Sequence, residues 1–354
     1  MAAQIFNIAV LGGDGIGPEV TDQAVRLLRQ VQSQLDGVQF EFNPHSVGVG
    51  EYQRSGSALP ESAFEACRSS DAVLLGAMGL PDVRYPNGKE IAPQIDIRER
   101  LQLYGGVRPI QLSHADDTPL KGYGPGEIDF LIVRESTEGL FFARDGVVAD
   151  DADEATDVMR ITRLGVERVC RLAFRLAQHR RKKVTLIDKA NVLPSMVFFR
   201  RVFDEVAREF PDCEADHVYV DAAALFLVRN PERFDVLVTE NMFGDILSDL
   251  AAGLIGGMGM APSADIGDSV AVFQPSHGSA PDIAGKGIAN PIAMILSAAM
   301  MLEWLDHPET KRGGELLRAA VATVLSDPTR RTVDMGGLLS TVQMADAISQ
   351  SLES

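Results

Sequence analysis

Asp245 and Asp249 stand four residues apart in TENMFGDILSDLAAGLIGGMGMAP (239–262), and after Glu240 they are the only charged side chains of that stretch. On a helix this spacing puts their Cβ atoms about 5–6 Å apart on one face. Two ionised carboxylates that close repel, and burial makes both costlier. A divalent cation removes the conflict: Mg²⁺ or Mn²⁺ prefers oxygen ligands and keeps waters or substrate oxygens in its shell. Asp221, at the end of another strand pattern, is a candidate third ligand. The spacing equally fits two aspartates on the solvated side of a helix whose apolar side carries Phe243, Ile246, Leu247, Leu250 and Leu254. Spacing leaves both readings open.

Elements must bring such residues together. IFNIAVLGGDGIGPEV reads as a strand, a glycine loop, and a helix opened by Pro18 and Glu19. DAVLLGAMG (71–79) and IDFLIVRES (128–136) read as strands. Residues 156–181, with Val158, Ile161, Leu164, Val169, Leu172 and Leu176 at helical spacing, read as a helix ending in HRRKK, where basic residues suit the helix dipole. An acidic loop, 150–157, precedes it. KVTLIDK, ADHVYVD and FDVLVTEN follow as strands, each with a helix after it, which implies a largely parallel sheet. Polar residues fall at the ends of these strands: Arg134, Lys189, Asp221, Glu240 and Asn241, with Asp245 opening the next helix. Ligands of open parallel sheets bind beyond the carboxyl ends of the strands, so this convergence marks a site. GGDGIGPEV misses the dinucleotide fingerprint, because Pro18 stands where its last glycine belongs. It is either a tight turn or a backbone lip on a nucleotide site.

The chain has 354 residues, 45% hydrophobic and 23% charged, which is globular and long enough for two domains. A formal net charge of −17 argues against nucleic acid and anionic membranes as partners. Cys67, Cys170 and Cys213 are scattered, as free thiols of a reducing compartment would be, and no secretory signal pattern opens the chain, so a cytoplasmic location is expected. NPIAMILSAAMMLEWL is too short to span a bilayer and carries Glu303, so it reads as a buried helix.

GDGIGPEV, RESTEG, DKANVL, ENMFGDILSD and HGSAPDIAGKGIANP, in that order between about residues 5 and 305, resemble the β-decarboxylating dehydrogenases, the isocitrate/isopropylmalate dehydrogenase family, with homoisocitrate, tartrate and D-malate members. The resemblance implies an isopropylmalate dehydrogenase-like α/β fold of two domains sharing a mixed sheet, not a Rossmann fold. Residues 1–103 and 256–354 would form a large cofactor-side domain, and 104–255 a central one. A homodimer with shared active sites is implied. By motif, Arg98, Arg108 and Arg134 match the arginines that hold the carboxylates of a small dicarboxylate substrate, and Asp221, Asp245 and Asp249 match the carboxylates for Mg²⁺ or Mn²⁺. Lys189 matches the catalytic lysine; it and the residue matching Asp221 come from the neighbouring subunit in the family.

HGSAPDIAGKGIANP resembles the family's cofactor loop, with His277, Gly278, Ser279 and Ala280 at its start, Asp282 matching the acid that holds the adenosine ribose, and His277 and Asn290 flanking adenine. Asp282 would accept from a free 2′-hydroxyl and repel a 2′-phosphate, so NAD is the expected cofactor. Two departures bear on the substrate. Phe141 stands where the family usually has a tyrosine thought to help protonate the enolate. Gln94 and Ile95 stand four and three residues before Arg98, where isopropylmalate enzymes tend to have leucines. The expected activity is therefore NAD- and metal-dependent oxidation, with β-decarboxylation, of a D-malate-type 2-hydroxy diacid with a small or polar 3-substituent or none. Alternatives are tartrate-type dehydrogenation with little decarboxylation, action on 3-isopropylmalate or homoisocitrate, and a non-catalytic regulatory subunit.

Overall fold

The computed structural model describes residues 3–146, 148, 149 and 151–353. In chain order the main elements are β1 (Gln4–Gly13), α1 (Gly17–Gln32), β2 (Val38–Pro44), α2 (Val49–Ser55), α3 (Glu61–Ser69), β3 (Ala72–Ala77), α4 (Pro93–Arg100), β4 (Gly105–Gln111) and β5 (Asp129–Glu135). Then come α5 (Arg163–Gln178), β6 (Lys183–Asp188), α6 (Pro194–Ala207), β7 (Glu214–Tyr219), α7 (Val220–Arg229), β8 (Val236–Thr239) and α8 (Asn241–Ala252). The chain closes with β9 (Pro262–Ile266), β10 (Ala271–Pro275), α9 (Ile292–Trp304), α10 (Pro308–Leu325) and α11 (Thr341–Leu352).

One ten-stranded sheet, in the order β2-β1-β3-β10-β9-β4-β5-β8-β6-β7, runs through the molecule. Its two ends are parallel, but β10–β9, β9–β4 and β4–β5 pair antiparallel. Three reversals turn β5 against β3, so the two parallel ends direct their carboxyl termini to opposite edges. The expectation of a single ligand-binding edge therefore holds only for β5, β8, β6 and β7. Alternation of side chains feeds both faces. Ile8, Leu74, Phe273, Ile132 and Leu237 join α1, α8, α9 and α10 in one large core, while Val133, Val184, Leu186 and Val238 pack on α5 and α6. Burying each such side chain is worth about 1.5–3 kcal/mol before chain entropy.

Local expectations mostly hold. Pro18 sits in the first turn of α1, and α9 is buried along nearly all its length. No helix among the described residues is long and apolar enough to cross a membrane. The helix expected over 156–181 starts later, at Arg163, because Thr162 caps it by accepting from the Gly165 N–H; Val158 stays exposed. Residues 151–157 form the exposed acidic stretch, and Asp150 lies outside the described residues. The basic run after α5 does more than face the helix dipole: Arg180 pairs with Asp129 and Asp235, and Arg181 donates to the Asp129 and Phe234 carbonyls, tying α5 to β5 and β8. Asp221 lies in the first turn of α7 rather than in a strand. Ile246, expected on the apolar side of α8, is 62% exposed, whereas Leu247 and Leu254 are 2% exposed.

Candidate active site

A cavity of about 240 Å³ opens over the antiparallel middle of the sheet, enough for a small diacid. It collects side chains from both halves: Gln94, Ile95 and Arg98 from α4, Arg108 from β4, Arg134 from β5, Phe141 from the short turn after β5, Asp245 and Asp249 from α8, and His277 and Gly278 from the loop after β10.

The acidic end depends on how α8 begins. Glu240 is buried and caps the helix, its carboxylate accepting from the N–H groups of Met242 and Phe243. Asn241, also buried, accepts from Arg134 Nε at 2.9 Å and Nη2 at 2.6 Å, and donates to the Glu138 carbonyl at 3.0 Å. Arg134 is thus held from one side while its Nη1 donates to Asp245. Burial first, and Arg98 second, lower the Arg134 pKa to about 10, which leaves it charged. Asp249 stays exposed at the rim, yet desolvation first and the Asp245 carboxylate second raise its pKa. A divalent cation would relieve that repulsion, so Asp245 and Asp249 fit a Mg²⁺ or Mn²⁺ site with hard oxygen donors. The set is incomplete within one chain: among the described residues no group of three or more His, Cys, Asp or Glu is placed to hold an ion.

Within one chain Asp221 stands apart from Asp245 and Asp249. It is exposed and paired with Lys189 at 2.8 Å, and neither lines the cavity. β6 and β7, which lead to them, lie two and three strands beyond β5, roughly 10 and 14 Å at ordinary strand spacing. Lys189 holds the Asp221 carboxyl below its usual pKa.

The basic end contains Arg98, Arg108 and a residue that motif reading passed over. Asp265, on β9 and fully buried, accepts from Arg98 Nε at 2.8 Å and Arg108 Nη2 at 3.3 Å, and Gln274 also donates to it. Burial would push this carboxyl up, but Arg98 and Arg108 outweigh it and hold the pKa below the ordinary value. Asp265 is therefore a carboxylate beneath two guanidinium groups.

The wall facing these arginines is mixed. Gln94 presents a buried side-chain oxygen with no partner, next to Ile95 and Met78. The Phe141 ring lies 5.0 Å from the Arg134 guanidinium carbon, in cation–π range. Tyr104 sits under Arg168, and Tyr123 donates to Glu232; no tyrosine among the described residues lines the cavity to replace the group missing at Phe141.

On the cofactor side, His277 Nδ1 engages the Gly278 carbonyl at 2.9 Å while Nε2 is buried without a partner. Burial lowers the His277 pKa, so the ring is neutral near pH 7 with one nitrogen unsatisfied. That orphaned nitrogen beside the cavity fits a nucleotide. Ser279 is buried, its hydroxyl donating to the Gly79 carbonyl and its own carbonyl accepting from Ile16 N–H at 2.8 Å. Ala280 carries a positive φ of 39°. Asp282 is exposed on the loop and lies outside the cavity. Asn290 is buried, donates to Asp334 and accepts from Ile292 N–H.

The glycine loop serves this side. Gly15 has φ +58°, and a Cβ there would come within 1.9 Å of the Ser279 carbonyl oxygen. Asp14, buried in the same loop, accepts from the N–H groups of Val49, Gly50 and Gly79. The loop is a tight turn packed behind the segment that carries His277 and Gly278. Asp14, Asn241, Asp265 and Gln274 were not singled out as site residues by sequence reasoning; only Asn241, at a strand end, gave a local signal.

With the geometry in place, comparison with known proteins is informative. The sequence model for isocitrate/isopropylmalate dehydrogenase matches residues 7–348. A 3-isopropylmalate dehydrogenase of Moorella thermoacetica is 43% identical over 99% of both chains, and one of Priestia megaterium is 44% identical over 97% of this chain and 95% of that one. Among solved structures, an isocitrate dehydrogenase of Methylococcus capsulatus superposes with a TM-score of 0.88 at 38% identity, covering 99% of this chain and 100% of that one. A β-decarboxylating dehydrogenase of Thermococcus kodakarensis, in its apo form, does so with 0.81 at 41%, covering 98% and 96%. The chain belongs to the isocitrate/isopropylmalate dehydrogenase family and is an NAD-dependent decarboxylating dehydrogenase that works with Mg²⁺ or Mn²⁺.

Proposed function

We propose that this enzyme oxidises a malate-type 2-hydroxy dicarboxylate whose C3 carries a small or polar group or none, and that β-decarboxylation follows. The observation that carries this reading is the unpartnered Gln94 oxygen in the cavity wall. Covering it with an isopropyl group would leave a buried acceptor unsatisfied, at a cost of about 1–3 kcal/mol. A hydroxyl on the substrate would satisfy it.

Arg98, Arg108 and Arg134 bind and orient the carboxylates, because planar guanidinium forks match carboxylate oxygens. A divalent cation between Asp245 and Asp249 would supply Lewis acidity to the substrate hydroxyl and the forming carbonyl. His277 and Asp282 support NAD at the other side of the cavity. Lys189 Nζ takes the hydroxyl proton in a neighbouring subunit's site, and Asp221 travels with it. That arrangement requires a homodimer with shared sites. It is supported by the distance of Lys189 from its own cavity and by exposed Val192, Val197, Leu225 and Ile246 on the adjoining segments. The domain division at 103/104 and 255/256 belongs to the same proposal. Phe141 cannot donate a proton, so protonation of the enolate carbon falls to Lys189 or water.

A second reading, 3-isopropylmalate, is favoured by the names of the relatives above and by the apolar Ile95, Met78 and Phe141 around Gln94. NADH formation with Mn²⁺ on D-malate, tartrate and 3-isopropylmalate separates the two. A kcat/KM for 3-isopropylmalate at least tenfold above the others would replace the first reading by the second.

A further inference from the structure

We propose that Asp265 limits the substrate charge this cavity accepts: by neutralising one of its three arginines from beneath, it selects dicarboxylates over tricarboxylates. This rests on the reading above that the arginines receive the substrate's carboxylates.

Asp265 is 0% exposed and does not line the cavity, whereas Arg98, Arg108 and Gln274, all of which donate to it, do. It is therefore a fixed internal anion on the side of the guanidinium groups away from the substrate. Its pairing with Arg98 Nε takes one donor of that fork out of the set open to ligand. Room for the arrangement comes from the facing strand. Gly106 is directly opposite Asp265 in the β4–β9 register, and a Cβ there would sit 2.7 Å from Ser136 Oγ, 3.2 Å from Asp265 Oδ1 and 3.4 Å from Arg108 Nη1.

The charges then divide. Asp245 and Asp249 balance a divalent cation at one end. The remaining charged groups, Arg98, Arg108, Asp265 and the Arg134 that pairs with Asp245, leave a net +2 over the whole cavity, which a dicarboxylate dianion neutralises. A third carboxylate adds a charge with no counterpart in a desolvated site, where unmatched charge is expensive. Removing one buried charge that contacts the ligand-binding arginines should change ligand affinity about ten- to hundredfold at the effective dielectric of protein sites.

The test is Asp265→Asn, which keeps shape and an acceptor oxygen and removes the charge. kcat/KM would be measured with NAD and Mn²⁺ for isocitrate and for whichever dicarboxylate the wild type turns over best. The ratio of tricarboxylate to dicarboxylate should rise about ten- to hundredfold, mainly through KM for isocitrate. A ratio within twofold of wild type, with both substrates impaired alike, would make Asp265 merely structural and overturn the proposal. Should Asp265→Asn not fold, Asp265→Ser is measured in the same way, and a tricarboxylate-to-dicarboxylate ratio within twofold of wild type overturns the proposal. A wild type that prefers isocitrate to every dicarboxylate would sink the function proposed above as well; a wild type that prefers dicarboxylates, with the variant's ratio unmoved, would sink only the role of Asp265.

Discussion

The arginine end of the cavity and the Lys189–Asp221 pair use similar chemistry in opposite settings. Arg108, Arg134 and Asp265 are buried, each held by two or more partners from other elements. Lys189, half-buried, and Asp221, exposed, hold mainly each other, away from the cavity. A charged group ordered inside its own chain must be fully paired, because desolvation makes any vacancy costly. A pair left in solvent costs little and is free to be used elsewhere. On the shared-site reading proposed above, the contrast separates a binding end that one chain completes from a proton-handling end that a second chain would bring.

The largest effect should come from the exposed end. Lys189→Ala is expected to lower kcat about 10³-fold or more while leaving the melting temperature nearly unchanged. Mixing it with Arg98→Ala should restore about one quarter of wild-type activity, since half of randomly assorted dimers are hybrids with one intact site of two. No recovery of NADH formation on mixing would break the comparison.

Glu135 sharpens it from the buried side. Its carboxyl is pushed up to about 7, by burial first, against hydrogen bonds from Thr137 and Glu138 that act the other way. The native state therefore binds this proton more tightly than the unfolded chain. Its contribution is complete below about pH 4.5 and is lost as pH rises through about 7, on the order of 3 kcal/mol in all. In Glu135→Gln, denaturant midpoints should lose that part of their fall over this window; an unaltered pH profile would remove Glu135 as its source.

Asp249→Asn should raise the Mn²⁺ concentration for half-maximal activity about tenfold, with kcat at saturating Mn²⁺ less affected. An unchanged Mn²⁺ requirement would take Asp249 out of the metal set. Gln94→Leu should shift kcat/KM toward 3-isopropylmalate by about tenfold relative to D-malate, the usual worth of one satisfied or unsatisfied group in a pocket. The smallest effect is expected from Phe141→Tyr, a rise in CO₂ released per NADH; a constant ratio would show that Lys189 or water already suffices.

Much of this site was legible in residue order. Arg98, Arg108, Arg134, Asp245, Asp249, Gln94, Ile95, Phe141, His277 and Gly278 were all named from motifs, and all line one cavity. Motifs are local, and each of these residues sits on a short segment whose conformation its neighbours dictate, such as α8 behind its Glu240 cap. Asp14 and Asp265 were missed for the complementary reason. A carboxylate whose backbone partners lie 35–65 positions away, as for Asp14, or whose arginine partners lie more than 150 away, as for Asp265, leaves little pattern in its own neighbourhood.

The amino-acid order alone was sufficient for the family, the strand–helix alternation and the inventory of charged groups, because periodicity and motif spacing are properties of neighbouring residues. Only three-dimensional packing settled that three antiparallel pairings turn half the sheet around, that Ile246 faces outward, that Asp221 stays apart from Asp245 and Asp249, and that Asp265 lies under the arginines. Strand register and desolvation are set by contacts between segments far apart in the chain, and no local pattern encodes which of them will meet.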